Sequence, residues 1–221
     1  MRKIYSVCII LIVFVSVLYA GTTDSISTVY RDKEFHSQYQ TRVKVSSKIA
    51  GEVADYLVND FHTAPGNLFN WALKDLGLQN KNDELVFVLK SSDTDFKTGI
   101  TYGRFDVVVE HITSFKDVKV NAIVAKTRYT NNEIKVSADI IYSSLLLKKA
   151  IGTIKFIPQN NDEQILVTNV SLKFGWFFNI FITRKRYKSI VEWRIKKFTE
   201  NIKSECLKRQ YIEAEKKSVS L

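Results

Sequence analysis

From Arg184 to Lys217 the chain reads as one uninterrupted amphipathic helix, and this feature limits what the rest of the molecule can be. Tyr187, Val191, Ile195, Phe198, Ile202 and Cys206 recur every three or four residues, a spacing that keeps them on one helix face. Ile190 and Leu207 widen the stripe, Lys188, Lys196, Lys197, Lys203 and Lys208 lie mostly off it, and no Pro or Gly interrupts the run. At 1.5 Å per residue the helix spans roughly 45–50 Å, longer than the usual globular helix. A helix of that length needs an extended apolar partner surface, and the strand-rich middle of the chain is the segment able to supply it.

The N-terminus bears on compartment. Arg2 and Lys3 precede an apolar run from Ile4 to Ala20 interrupted only by Ser6 and Ser16, and the small residues Gly21, Thr22 and Thr23 follow. A short basic region, an apolar core and a small residue at the cut describe a secretory signal peptide over 1–20, and the expected localisation is periplasmic or secreted. An uncleaved membrane anchor is the alternative, because this run reaches the lower limit for crossing a bilayer. Cys8 sits at the start of the apolar run, where a lipidation cysteine does not belong.

Cleavage would leave about 200 residues, enough for one domain with its own core. It would also leave Cys206 as the lone cysteine, so no intramolecular disulfide staples the fold. Its place on the apolar helix face makes Cys206 a small buried hydrophobe rather than a nucleophile. Loss of Arg2 and Lys3 would lower the formal charge from +10 to +8. An exported basic protein does not ordinarily meet nucleic acid; its charge suits a solvated lysine-rich surface or an anionic membrane.

Along the chain, residues 21–34 are polar and aperiodic and read as a flexible leader. Phe35, Ser37, Tyr39, Thr41, Val43 and Val45 then alternate with polar residues, which predicts a half-buried strand. Ile49, Val53, Tyr56, Leu57 and Phe61 return at helical spacing, with Ser46 or Ser47 placed to cap the helix. After the His62–Gly66 breaker, Leu68, Phe69, Ala72, Leu73 and Leu76 predict a second short helix ending at Gly77. Six segments rich in Val, Ile, Phe, Tyr and Thr follow: Leu85–Lys90, Ile100–Ile112, Val118–Tyr129, Glu133–Leu146, Ala150–Ile157 and Ile165–Phe174. The short polar turns between them, at 91–95, 114–117, 130–132 and 158–162, imply an antiparallel meander with one buried face.

Strand, two short helices, six strands and a long helix resemble, in order and length, the helix-grip fold of the START-like lipid-transfer and birch-pollen-allergen superfamily. The resemblance covers roughly Phe35 to Lys217 and rests on element order. It implies an α+β fold in which a curved antiparallel sheet of about seven strands grips the C-terminal helix, with residues 218–221 as a tail. The glycine-rich loop of the plant allergen branch has no counterpart, since only Gly99 and Gly103 occur in that region.

A sheet so rich in Val, Ile and Phe, set against an aromatic-bearing helix, either packs solid or encloses an apolar space. The residues expected to face that interior are Phe87, Phe105, Val107, Val120, Val124, Ile140, Leu172, Phe198 and Ile202. A second segment, Phe174 to Lys188, places aromatic rings beside cations. Trp176, Phe177, Phe178, Arg184, Lys185, Arg186 and Lys188 make it a candidate membrane or partner surface, or else the end of the last strand and the start of the helix.

Chemical sites are sparse. His36, His62 and His111 have no metal-ligand spacing, and Asp93 and Asp95 read as a polar turn lacking the glycine and later glutamate of a calcium loop. Tyr102, Arg104, Asp106 and Glu110 share one strand face, while Phe105, Val107 and Val109 take the other, so the charged row is expected on the solvent side. No metal or cofactor is expected. The leading reading is an exported, non-catalytic binding protein for an apolar or amphipathic, lipid-like molecule held between sheet and helix. A solid-core protein docking on membrane or a partner through 174–188 is the second, and an enzyme using the same cavity, with Arg104 beside Asp106, is the third.

Overall fold

A computed structural model describes residues 24–76, 85–109, 113–144, 147–160, 162–175 and 183–219. In chain order the elements are β1 (Ser25–Arg31), β2 (Glu34–Val43), α1 (Ser47–Thr63), a 3-10 helix (Pro65–Asn70), β3 (Leu85–Asp95), β4 (Ile100–Val109), β5 (Thr113–Arg128), β6 (Ile134–Ser143), β7 (Leu147–Asn160), β8 (Glu163–Phe174) and α2 (Arg184–Val219). The strands form one eight-stranded sheet in the order β1-β2-β8-β7-β6-β5-β4-β3. Every neighbouring pair is antiparallel.

The alternation in β2 works as expected: Phe35, Ser37, Tyr39, Thr41 and Val43 are all buried on the face toward α2. The strand before it corrects the expected leader at 21–34 and raises the strand count from seven to eight. Ser25–Arg31 pairs residue for residue with β2, from Ser25 opposite Gln40 to Arg31 opposite Glu34. Asp32 and Lys33 join the two strands with φ of 56° and 61°. Both positive values belong to a tight two-residue hairpin turn, here without the usual glycine. β1 escapes a hydrophobic-period search because it is an edge strand, exposed along most of its length and held by backbone pairing more than by burial.

Ser46 caps α1, its hydroxyl accepting the Ile49 N–H at 3.3 Å. Ile49, Ala50, Val53, Ala54 and Leu57 bury the inner side of that helix. The second helix is not α-helical: a 3-10 turn over Pro65–Asn70 gives way to turns through Leu76, with Asp75 at φ 64° as the left-handed residue. Gly77 lies outside the described residues. The segment is anchored by buried Leu68 and Ala72 and by the Trp71 indole N–H, which donates to the Asp60 carboxylate at 2.9 Å.

Polar residues expected to form turns instead extend several strands. β3 runs through 91–95 with a register shift between Leu89 and Ser91, and β5 begins at Thr113, taking in 114–117 opposite a second shift between Phe105 and Val107. Bulges absorb the extra residues there. Around the expected break at 143–149, β6 ends at Ser143 and β7 begins at Leu147.

α2 packs chiefly across β1, β2, β8 and α1, on one side of the sheet. Tyr187, Val191, Ile195, Ile202 and Cys206 are buried along its stripe. Phe198 is only half-buried, and Thr199, which the periodicity leaves out, is fully buried beside it. Its hydroxyl lies 2.7 Å from that of Thr168 on β8 and donates to the Ile195 carbonyl at 2.7 Å. Tyr39 similarly donates to Glu200 at 2.9 Å, so the helix–sheet seam is polar at its middle.

Candidate functional site

The strand registers define the concave face on which α2 and α1 lie. Its central row runs Val124, Ala138, Gly152, Val170 and Ser37 across β5, β6, β7, β8 and β2. The adjoining row is Ala122, Ile140, Ala150, Leu172 and Phe35. Small side chains dominate the middle of the central row. A Cβ built on Gly152 meets no atom within 4 Å, so space stands in front of the sheet at this point. At Gly103 the reverse holds, because an added Cβ would come within 2.7 Å of the Phe105 ring. The ring therefore lies across Gly103, and any side chain at 103 would displace it.

Among the described residues the buried apolar side chains form three clusters. The largest sits under α1 and includes Val124, Ile134, Val136, Ile154, Phe156, Leu166 and, from α2, Ile202 and Cys206. A second has Val107 and Val118 with Phe105, Val120 and Phe174 packed on it. The third joins Phe35, Tyr187 and Val191, with Tyr30, Leu172 and Phe174 around them. Phe35 stacks on Tyr187 with ring centroids 3.7 Å apart.

The expected lining residues thus divide. Val107, Val124 and Ile202 are buried in packed clusters, whereas Phe105, Val120, Ile140, Leu172 and Phe198 are half-buried. Phe87 pairs with Val107 on β3, and its side chain lies outside the described residues. Gly152, Ala138 and Val170 belong to the same surface. Sequence reasoning missed them because small residues on a strand carry no signal until their register is known.

The charged row occupies the opposite, convex face, as expected. Arg104 donates to Asp117 at 2.7 Å, Lys90 lies 3.0 Å from Asp106, and Tyr102 is exposed. The hydrogen bond from Lys90, aided by the Asp117 N–H, holds the Asp106 carboxyl below the usual range. Arg104 and Asp106 therefore do not meet on the concave face; Glu110 lies outside the described residues. Asp95 accepts the Lys97 N–H at 2.9 Å and the Thr98 hydroxyl at 2.9 Å, the bonding of a polar turn. His36 contacts Ser171 at 3.0 Å on the convex face and His62 contacts the Val124 carbonyl at 3.2 Å. Among the described residues no three His, Cys, Asp or Glu side chains gather to hold a metal ion. Cys206 is buried, and burial pushes its thiol up to about 12, far from nucleophilic use.

A separate cleft of about 360 Å³ lies between α1 and the β5–β6 turn, with Ser47, Gly51, Arg128 and Asn132 among its walls. Of its two carboxylates, Asp55 pairs with Lys126, and Glu52 lies 3.9 Å from Lys48, which donates to Glu213 at 2.8 Å.

Trp176, Phe177 and Phe178 lie outside the described residues, as does the 1–20 segment. Arg184 and Lys185 open α2 and are exposed, with the Arg184 guanidinium 4.3 Å from the centre of the Tyr30 ring. Lys188 stands 4.0 Å from Glu192; Arg186 is in the same turn, its side chain undescribed. Among the described residues no helix is long and apolar enough to cross a membrane.

This is the helix-grip fold, with an added N-terminal edge strand. No protein-family model matches the sequence, and no curated protein matches it. Several solved structures are similar in shape. A STAR-related lipid transfer protein from Xanthomonas axonopodis has a TM-score of 0.49 at 12% identity, over 85% of this chain and 96% of that one. A conserved protein from Geobacillus kaustophilus has 0.48 at 16%, over 78% and 95%. An aromatase/cyclase from a Streptomyces species has 0.46 at 10%, over 80% and 95%.

Proposed function

We propose that the protein binds an apolar or amphipathic small molecule against the concave face of its sheet, without chemical turnover. The observation that carries this reading is the open space over Gly152, bordered by the half-buried side chains of Val170, Ile140 and Leu172. A ligand there would gain about 25 cal/mol for each Å² of apolar surface withdrawn from water. The hydroxyls of Thr168 on this face and Thr199 on α2 are bonded to each other, and the buried Tyr187 hydroxyl, which has no hydrogen-bond partner among the described residues, is a polar group left to meet an amphipathic ligand. Absence of turnover is supported by the position of the Arg104 and Asp106 row on the other face.

Displacement of a fluorescent fatty-acid analogue, with native mass spectrometry of the gently purified protein, tests this reading. Gly152→Leu should weaken probe binding about tenfold or more while leaving the thermal midpoint nearly unchanged, because the added side chain enters space and not packed atoms. A protein that binds no probe and carries no lipid-sized mass would end the proposal. So would a Gly152→Leu variant that binds as well as the parent.

Export belongs to the same proposal and rests on the basic, apolar and small-residue order of 1–23. Mature protein beginning at or near Gly21 and recovered without detergent is the expected result. Full-length chain found solely in the membrane fraction would replace export by anchoring.

A further inference from the structure

We infer that the rim of the sheet opposite α1 is a docking surface for an anionic lipid membrane, through which the ligand of the concave face enters and leaves. The inference rests on the ligand-binding reading for its purpose, but its evidence is a separate one: the distribution of charge between the two rims. The antiparallel registers bring to this rim the β1–β2 turn, the end of β8, the start of β7, the end of β6 and the start of β5. The first turn of α2 joins them through the contact of Tyr187 with Phe35 and of Arg184 with Tyr30.

Six lysines stand on these pieces: Lys33 in the turn, Lys116 and Lys119 on β5, Lys148 on β7, Lys173 on β8 and Lys185 on α2. None of the six is in an ion pair among the described residues, although the rim has carboxylates. Those carboxylates are engaged elsewhere: Asp32 with Arg31 at 3.2 Å, Glu34 with Lys149 at 2.8 Å and Asp117 with Arg104 at 2.7 Å. The α1 rim is different. There Glu133 pairs with Lys155 at 2.9 Å, Glu163 faces Arg42 at 3.7 Å and Asp55 pairs with Lys126. The cations outside these pairs, Lys44, Lys97, Arg128 and Lys135, share that rim with the further carboxylates Asp93, Asp95 and Asp162, so the two signs are mixed there.

Lys173 and Lys116 feel the fields of Glu34 and Asp106, but the lysines of this rim outnumber its carboxylates. Cations in excess on one surface repel one another, and a surface retains them at least cost where a negative partner adds its own field. Each of the six is a lysine, a compact charge without the planar fork with which arginine grips single phosphates. Such a set answers a diffuse sheet of negative headgroups better than a defined phosphate geometry. The same rim carries the half-buried aromatic rings of Tyr30 and Phe174 and borders the half-buried part of the concave face. Charge and apolar surface therefore meet at one edge, the combination an acyl–headgroup boundary accepts.

Co-sedimentation with vesicles of phosphatidylglycerol mixed into phosphatidylcholine, against phosphatidylcholine alone, tests the inference. Binding to the anionic vesicles should exceed binding to the neutral ones about tenfold or more and fall as salt is raised. The triple variant Lys33→Glu, Lys148→Glu, Lys173→Glu should lose that preference. A triple variant of equal charge on the other rim, Lys44→Glu, Lys97→Glu, Lys135→Glu, should keep most of it. Equal loss from both triples would mean that net charge alone is read, and no preference in the parent would mean no docking; either overturns the inference. Tighter binding to duplex DNA than to the vesicles, lost in the first triple, would assign the rim to nucleic acid instead. Gly152→Leu separates the two proposals, since it should lower probe binding and leave vesicle binding intact. Vesicle binding without any bound probe in the parent would retain the rim and remove the ligand site.

Discussion

The two ends of the sheet are built from the same strands and similar residues, yet one is packed throughout and the other only in part. Under α1, Ile134, Phe156, Leu166 and Ile202 are each 2% exposed or less. Further along the same strands, Val120, Ile140 and Leu172 remain half-buried, and Gly152 faces space. Apolar content does not separate the two regions, since Val and Ile are plentiful in both. The difference is helix cover. α1 and the 3-10 turn lie on the first region, while α2 leans toward β1, β2 and β8. The position of the space is thus set by where the helices cross the sheet.

That contrast can be broken by truncating aromatics in the two regions. Phe156→Ala should cost about 3–5 kcal/mol, the usual range for emptying a fully packed aromatic site. Phe105→Ala should cost less than half as much, because its ring is only half-buried. Equal losses in urea denaturation would mean that both ends are solid. A smaller version of the same comparison runs along α2. Ile202→Ala should cost about 2–5 kcal/mol, and Phe198→Ala clearly less, even though the larger residue is removed. The helical period alone ranks Phe198 as an anchor; burial transfers that role to Ile202.

A third test concerns the polar seam between those regions. Thr199→Val keeps the shape of the side chain but leaves the Thr168 hydroxyl without its partner inside the interface. A loss of about 1–2 kcal/mol is expected, the usual penalty for a buried hydroxyl stranded in this way. Thr168→Val combined with Thr199→Val should recover part of it, since two apolar groups then face each other. A double variant no better than the single would show that the Thr199 bond to the Ile195 carbonyl carries the effect.

Much of this architecture was legible from periodicity. The α2 stripe, the β2 alternation, the Ser46 cap and the order of the strands all follow from spacing that reflects burial on one face. β1 was hidden because an edge strand of sequence Ser-Ile-Ser-Thr-Val-Tyr-Arg, mostly exposed, is fixed by backbone pairing to β2 and not by a buried apolar face. The second helix was misjudged because Leu68, Ala72 and Leu76 suit a helical period, but Pro65 and Gly66 start it and too few residues follow to sustain an α-helix. The bulges in β3 and β5 were mistaken for turns because bulges and turns share the same polar residues. For the candidate site, the large residues Phe105, Val120, Ile140 and Leu172 could be listed from alternation. Gly152 and its small neighbours could not, because their meaning depends on which residues stand beside them across four strands. Thr199 was passed over for a similar reason: a polar side chain on an apolar stripe is recognisable only once Thr168 is seen opposite.

The smallest expected effect compares the two rims under acid. Near the α1 rim, Asp24 accepts the Thr41 hydroxyl at 2.7 Å, and this bond, helped by Tyr39 and Lys203 against the cost of burial, holds its carboxyl below the usual range. At the other rim, the hydrogen bond from Lys149 at 2.8 Å does the same for Glu34. Both groups have a lower pKa folded than unfolded, so the folded state binds fewer protons. Their contribution is present above the unfolded values, near 4, and disappears as pH falls through the folded ones. Asp24→Asn and Glu34→Gln should each flatten the decline of stability below about pH 4.5, with little change at neutral pH beyond the lost hydrogen bond. Urea midpoints measured in steps from neutral to acid pH would detect the difference. If Glu34→Gln leaves the acid decline as steep as in the parent, Lys149 is not held by Glu34 in solution. It would then join the six unpaired lysines of that rim, and the charge contrast between the two ends would be larger than the ion pairs imply.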